Sequence, residues 1–271
     1  ASVNGGSDKI TDWQPQATCR PQSYLLIMVT AQTDAMPTKG VFARAIGIIF
    51  SPGATFQDVV RSPRPAGILL LVCLVMGVAT GAPQFTERGR QAALDMQVQQ
   101  IERFTGQPVT PEAYAGMESR ARYGGYIAMG SMFVVLPVFC LLFTALYWVV
   151  FNAILGGTAS FKQVLGIITH SQVIAALGAV IAAPIQYMQG TQTAAGPFNL
   201  GALAPMLEPS SVLANILGAL SVFSIWQTIV SAVGLGVLYK RRAGTIAIVL
   251  LVFYVLLVSV FTVGLSKLLG R

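Results

Sequence analysis

Tyr126 to Leu155 reads YIAMGSMFVVLPVFCLLFTALYWVVFNAIL, thirty consecutive residues without an Asp, Glu, Lys, Arg or His. At roughly 1.5 Å of rise per residue, a helix of this length exceeds the roughly 30 Å hydrocarbon layer of a bilayer. Four further segments are predominantly apolar: 66–83, 164–187, which holds His170, 212–239, and 244–268, which holds Lys267 near its end. None of the five contains an Asp or a Glu. A bilayer cannot hydrate backbone N–H and C=O groups, which leaves helices or closed barrels, and the roughly ten-residue alternation of barrel strands does not occur. The expected fold is an all-α integral membrane bundle of five transmembrane helices, with short interfacial N-terminal helices and an extracytoplasmic helical hairpin.

The composition agrees. Hydrophobic residues make up 54% of the 271 and charged residues 10%, against about 25% charged in soluble domains. The 17 basic and 10 acidic residues give a net charge of +7. Most basic residues sit in short groups beside apolar runs, so the charge speaks for topology and not for nucleic-acid binding. Cys19, Cys73 and Cys140 share no C-x-x-C spacing and His170 is the single histidine, too few ligands for a structural zinc site. No metal and no cofactor is expected.

Two parts are expected along the chain. Residues 1–35 are mixed in composition, with Gly5, Gly6, Pro15 and Pro21 among polar residues, and read as disordered or as a non-native N-terminal extension, with Met36 a candidate start. Their longest apolar run, Tyr24 to Val29, is short for a signal peptide. Residues 36–271 form the membrane domain. Within it, Val41 to Phe50 and Thr55 to Val60 are separated by Ser51, Pro52 and Gly53; serine can cap a helix and proline fits its first turn. With Arg44, Arg61 and Arg64 nearby, these read as short helices at the membrane surface or as connecting helices packed on the bundle.

In residues 85–125, Leu94, Val98, Ile101 and Phe104 recur at helical spacing, a turn falls at Gly106 to Pro108, and Thr110 with Pro111 should start a second helix. An apolar stripe usually reports burial, so a cap over the bundle competes with a partner-recognition surface. With a cytoplasmic N-terminus, Lys39, Arg44, Arg61, Arg64, Lys162, Lys240, Arg241 and Arg242 lie inside. Seven basic residues, Arg88, Arg90, Arg103, Arg120, Arg122, Lys267 and Arg271, lie outside. The loop between the third and fourth spans holds no Lys or Arg and its successor has three in a row, which favours the N-terminus inside and the C-terminus outside.

Polar residues inside spans are the candidates for chemistry. His170 and Gln172 lie in the third span, with Gln186 and Gln227 further along, and could line a substrate path. The competing reading is interhelical hydrogen bonding, to which Asn152 and Asn215 also belong. Pro137 and Pro184 could hinge their spans. Gly77 with Gly81, and Ala175, Ala179 and Ala183, are small residues spaced for close helix approach, within one protomer or in a homo-oligomer. No intramembrane carboxylate pair, P-loop, dinucleotide glycine pattern or H-E-x-x-H occurs, so no catalytic residue is assigned and no enzyme is expected.

Four stretches carry a resemblance. Gly47 to Val60, GIIFSPGATFQDVV, followed by Arg61 to Pro65; Leu155 to Gln172, LGGTASFKQVLGIITHSQ; Leu220 to Lys240 with FSIWQ and SAVGLGVLYK; and the final apolar segment together resemble a bacterial-type member of the Yip domain family over about Met36 to Arg271. The resemblance implies a cytoplasmic N-terminus, a five-helix bundle and, from eukaryotic members, association with Ypt/Rab GTPases and vesicle formation. This chain departs by a short cytoplasmic N-terminal region and an extended first outer loop, and the family supplies no catalytic residues.

The resulting expectation is a non-enzymatic protein of a bacterial cytoplasmic membrane, acting through protein or lipid contacts in membrane organisation or trafficking. The candidate cytoplasmic contact comprises Ser51, Pro52, Gly53 and Phe56, the turn at Gly156, Gly157, Phe161 and Lys162, and the cluster Lys240, Arg241 and Arg242. Expected partners are the lipid bilayer and an unidentified membrane or cytosolic protein, and no nucleic acid. The alternative is a small-molecule or ion permease with a polar path near His170.

Overall fold

The computed structural model describes residues 1–2, 40–193, 196–204, 206–207 and 211–260, with only the backbone described at 103 and 104. The chain divides into two compact units, Ala1–Thr38 and Lys39–Arg271. The expectations for residues 1–35, all but the first two, and for the last span beyond residue 260 lie outside the described residues.

Among the described residues the second unit is helical. Two short helices, α1 (Val41–Phe50) and α2 (Pro52–Arg61), precede α3 (Pro65–Gly81). A 3₁₀ turn (Ala82–Phe85) leads to α4 (Glu87–Thr105) and α5 (Pro111–Ala121). Thr110 accepts from the Ala113 N–H at the start of α5, and Gly106 ends α4 in the left-handed conformation at φ 70°, as the turn chemistry predicts. Then come α6 (Gly124–Trp148), running into a π-helical turn to Ile154, and α7 (Phe161–Gln189). Pro137 and Pro184 lie inside these helices without ending them. The described residues end with α8 (Val212–Ala219), α9 (Val222–Tyr239) and α10 (Ala243–Ser259).

Among the described residues four helical stretches, Pro65–Phe85, Gly124–Ile154, Phe161–Gln189 and Val222–Tyr239, are long and apolar enough to cross a membrane. The expected span 212–239 is two helices. Leu220 and Ser221 leave the helix because their backbone pairs with the preceding loop: Leu200 N–H donates to Leu220 O and Val222 N–H to Phe198 O, both at 2.9 Å. The expected stripe on α4 is also corrected. Gly89, Ala92, Ala93 and Leu94 are buried and Val98 half-buried, whereas Ile101 is exposed, so burial is confined to the first half of α4.

Helix α7 is the centre. It touches α1, α2, α3, α6 and α9, and 67% of its most apolar stretch is buried against 17% for α6. Its start is fixed by a capping box in which Ser160 and Gln163 satisfy each other's backbone. On its flank, α3 meets α6 through the glycines of the G-x-x-x-G pair: a Cβ at Gly77 would stand 3.2 Å from Met129 O, and one at Gly81 only 2.6 Å from Gly125 O. The pair therefore packs inside one protomer. Gly81→Val forces these backbones apart and should cost about 1–3 kcal/mol, read as a lowered melting temperature in detergent. Gly130→Ala, where an added Cβ meets nothing within 4 Å, should leave it unchanged; equal melting of Gly81→Val and the wild type would contradict this packing.

Candidate functional site

The two ends of the bundle differ. At the α1–α2 end, the side chain of Arg44 projects from α1 into the interior and is buried. Its Nε donates to Asp58 Oδ2 of α2 at 2.9 Å and its Nη1 to the carbonyl of Ser62, which caps α2, at 3.1 Å. Nη2 has no hydrogen-bond partner. A buried charge without its counter-ion is strongly destabilising, so this pair fixes α1 on α2. Arg44 had read as a topology charge; its position in the middle of an otherwise uncharged helix, one helix before a lone Asp, is the signal that marks it as paired.

Phe56 is fully buried at 0% exposure, against Gly234 of α9, where a Cβ would lie 3.1 Å from its ring. It is a wedge between α2 and α9 and is withdrawn from the contact surface. The remaining members of that surface are at least partly accessible: Ser51, Gly156, Phe161, Lys162, Lys240, Arg241 and Arg242 are exposed, and Pro52, Gly53 and Gly157 half-buried. The fold brings the three segments to one end. Gln163 Nε2 donates to Val60 O at 3.2 Å, placing the 156–162 turn beside α2. Gly157 sits against the Tyr239 ring, where a Cβ would stand 2.5 Å from it, placing the same turn beside 240–242. Asn152 clamps that turn from within, donating to Ala159 O at 2.7 Å and accepting from Ala159 N–H at 3.3 Å.

The four intramembrane polar candidates do not form one path. His170 is 1% exposed, and its Nδ1 lies 2.6 Å from Gly166 O; a carbonyl only accepts, so Nδ1 carries the proton and donates within its own helix. Gln172 is buried beside the Cys140 thiol, with its Nε2 unpartnered. Gln186 accepts from Thr193 N–H at 2.9 Å and anchors the loop after α7. Gln227 is half-buried on α9.

At the α4–α5 end the bundle is hollow. A cavity of about 1270 Å³ reaches from the loops down to Ala175 of α7. Ala175, Ala179 and Ala183 form part of its wall, so this alanine stripe leaves space where the sequence pattern suggested close helix approach. Of the four polar candidates only Gln186 lines the cavity.

Carboxylate-free apolar helices enclosing a packed core define a multispan membrane protein. The Yip1 domain matches residues 46–264, and the chain belongs to the Yip1 domain family. It is similar to the membrane protein YknW of Bacillus subtilis (strain 168), 22% identical over 220 residues that cover 80% of this chain and 88% of YknW. No solved structure matches.

The ion pair yields a direct prediction. Asp58→Ala strands Arg44 in the interior and should cost about 3–5 kcal/mol, while the joint replacement Arg44→Met with Asp58→Leu should recover most of that loss. Thermal unfolding in detergent over this double-mutant cycle measures it; a double variant as unstable as Asp58→Ala would contradict the pairing.

Proposed function

We propose that this protein is a non-enzymatic organiser of a bacterial cytoplasmic membrane, with five spans, the N-terminus inside and the C-terminus outside, working through protein or lipid contacts at the α1–α2 end. The observation that carries the reading is the outer face of α1. Phe42, Ile46 and Phe50, four residues apart and therefore on one side of a helix, are 71%, 60% and 82% exposed. The opposite face holds buried Arg44 and Ile48. A helix that is locked to the bundle on one side and presents large apolar residues on the other needs lipid or a partner to cover it. Exposed Lys162, Lys240, Arg241 and Arg242 at the same end suit anionic headgroups.

A permease reading has one observation in its favour, the cavity at the α4–α5 end. Against it, the described lining stops at Ala175 and excludes His170, Gln172 and Gln227. A photo-crosslinking residue in place of Phe50 or Lys162, used in native membranes, separates the two readings. The expected outcome is adducts with lipid or one defined partner at both positions, and purified protein in liposomes that passes no solute. Absence of adducts, or solute flux abolished by substitution at Gln172 or Gln186, would overturn the proposal.

A further inference from the structure

The cavity at the α4–α5 end adjoins a second one that the contact surface above does not use. This is a groove of about 670 Å³ between α3 and α7, walled by Leu74, Val78, Val180 and Pro184 and free of charged residues among those described. Leu74, Val78 and Val180 are about half exposed on the outside of the bundle, where a membrane-spanning helix meets hydrocarbon. Ala79, Pro83, Ala183 and Tyr187 line both spaces. The small side chains of Ala79 and Ala183 thus form a low sill between a chamber that holds arginines and a groove without charge among the described residues.

The described lining of the chamber is basic. Among its described lining residues are three arginines, Arg88, Arg90 and Arg120, and no Asp or Glu. Arg90 is paired with Glu87. Arg88 donates one Nη2 hydrogen bond to Met188 O at 2.5 Å, at the end of α7. It also lies over Gly190, where a Cβ would stand 3.2 Å from its Nε. That contact holds the guanidinium in place and leaves its other donors without a protein acceptor among the described residues. Arg120 on α5 is exposed, and its side chain has no ion pair there either. A guanidinium offers a planar fork of donors that matches a phosphate, and it keeps its charge at any physiological pH.

We propose that these two spaces bind one anionic phospholipid drawn sideways from the bilayer, its phosphate met by Arg88 and Arg120 and an acyl chain lying in the groove between α3 and α7. A soluble anion would use the chamber and have no need of the groove. A neutral lipid would use the groove and leave the arginines unanswered. Ala183 of the α7 alanine stripe then has a purpose: a larger side chain there would fill the passage between the two.

Native mass spectrometry of the full chain in detergent, with phosphatidylglycerol or phosphatidylcholine added, tests this. Phosphatidylglycerol should be retained about tenfold better than phosphatidylcholine, and Arg88→Gln with Arg120→Gln should remove that preference. Ala183→Trp, which changes no charge, should lower retention of phosphatidylglycerol to a similar degree. Arg241→Gln with Arg242→Gln, at the opposite end, should leave it unchanged. If the Arg88 variant fails to fold, Arg120→Gln alone decides, since this exposed side chain holds nothing together. Equal retention of the two lipids, or no loss in the Arg88 and Arg120 variants, would overturn the proposal. So would displacement of the lipid by glycerol 3-phosphate with Ala183→Trp silent, which would make the chamber a soluble-anion site.

Discussion

Lipid tails are as apolar as the side chains facing them, so bringing one membrane helix against another releases little hydrophobic free energy, and association rests on close fit and satisfied polar groups. Everything in this bundle is arranged around α7 under that constraint. Gly166 lets Val59 and Pro63 approach it, and Gly178 receives the ring of Phe223, where a Cβ would stand 2.6 Å away. From the other side Gly234 of α9 receives Ile167, with a Cβ only 2.5 Å from its side chain. These interlocks work because a ring or branched side chain sits where a helix has no side chain, and they seat α2 and α9, two of the five neighbours of α7.

The same packing makes the two ends unlike. At the α1–α2 end, Phe56, Ile167 and Leu235 are fully buried, and the Arg44–Asp58 pair ties α1 to α2. A buried pair is weak evidence for net stability, because two desolvated charges cost about as much as their attraction returns. Its effect here is positional: Asp58 and the Ser62 carbonyl give Arg44 one orientation, and with it α1 one face toward the bundle and one away. At the α4–α5 end Ala175, Ala179 and Ala183 of α7 line a cavity, together with α8 and described residues of the segment before it.

Much of the architecture was legible in the sequence, since an uncharged run long enough to cross hydrocarbon has few alternatives. Tyr126 to Leu155 and the start and stop signals at Thr110 and Gly106 depend on local chemistry, and they read correctly. The break at Leu220 and Ser221 did not, because its cause is non-local pairing with 198–200, and no glycine–proline punctuation marks it. Phe56 looked like part of an accessible motif because Ser51, Pro52 and Gly53 beside it are turn residues. Its burial follows from Gly234, far along the chain. The alanines of α7 show the same limit: small residues four apart permit close approach and equally permit a cavity, and only the neighbours decide. Arg88 and Arg120 had counted only among seven outside basic residues, because a tally of charges by side hides which of them share a wall.

Close packing at the α1–α2 end and a cavity at the other, whose described lining on α7 stops at Ala175, together imply no aqueous path through the core. Thiol accessibility in membranes tests it most directly, using the full chain with Cys19, Cys73 and Cys140 changed to alanine and single cysteines placed at Gln172, Ala179 or Ala183. The account predicts that a water-soluble thiol reagent modifies cysteines at 179 and 183 and spares the one at 172. Rapid modification at 172 would reveal a continuous aqueous path through the core and contradict it.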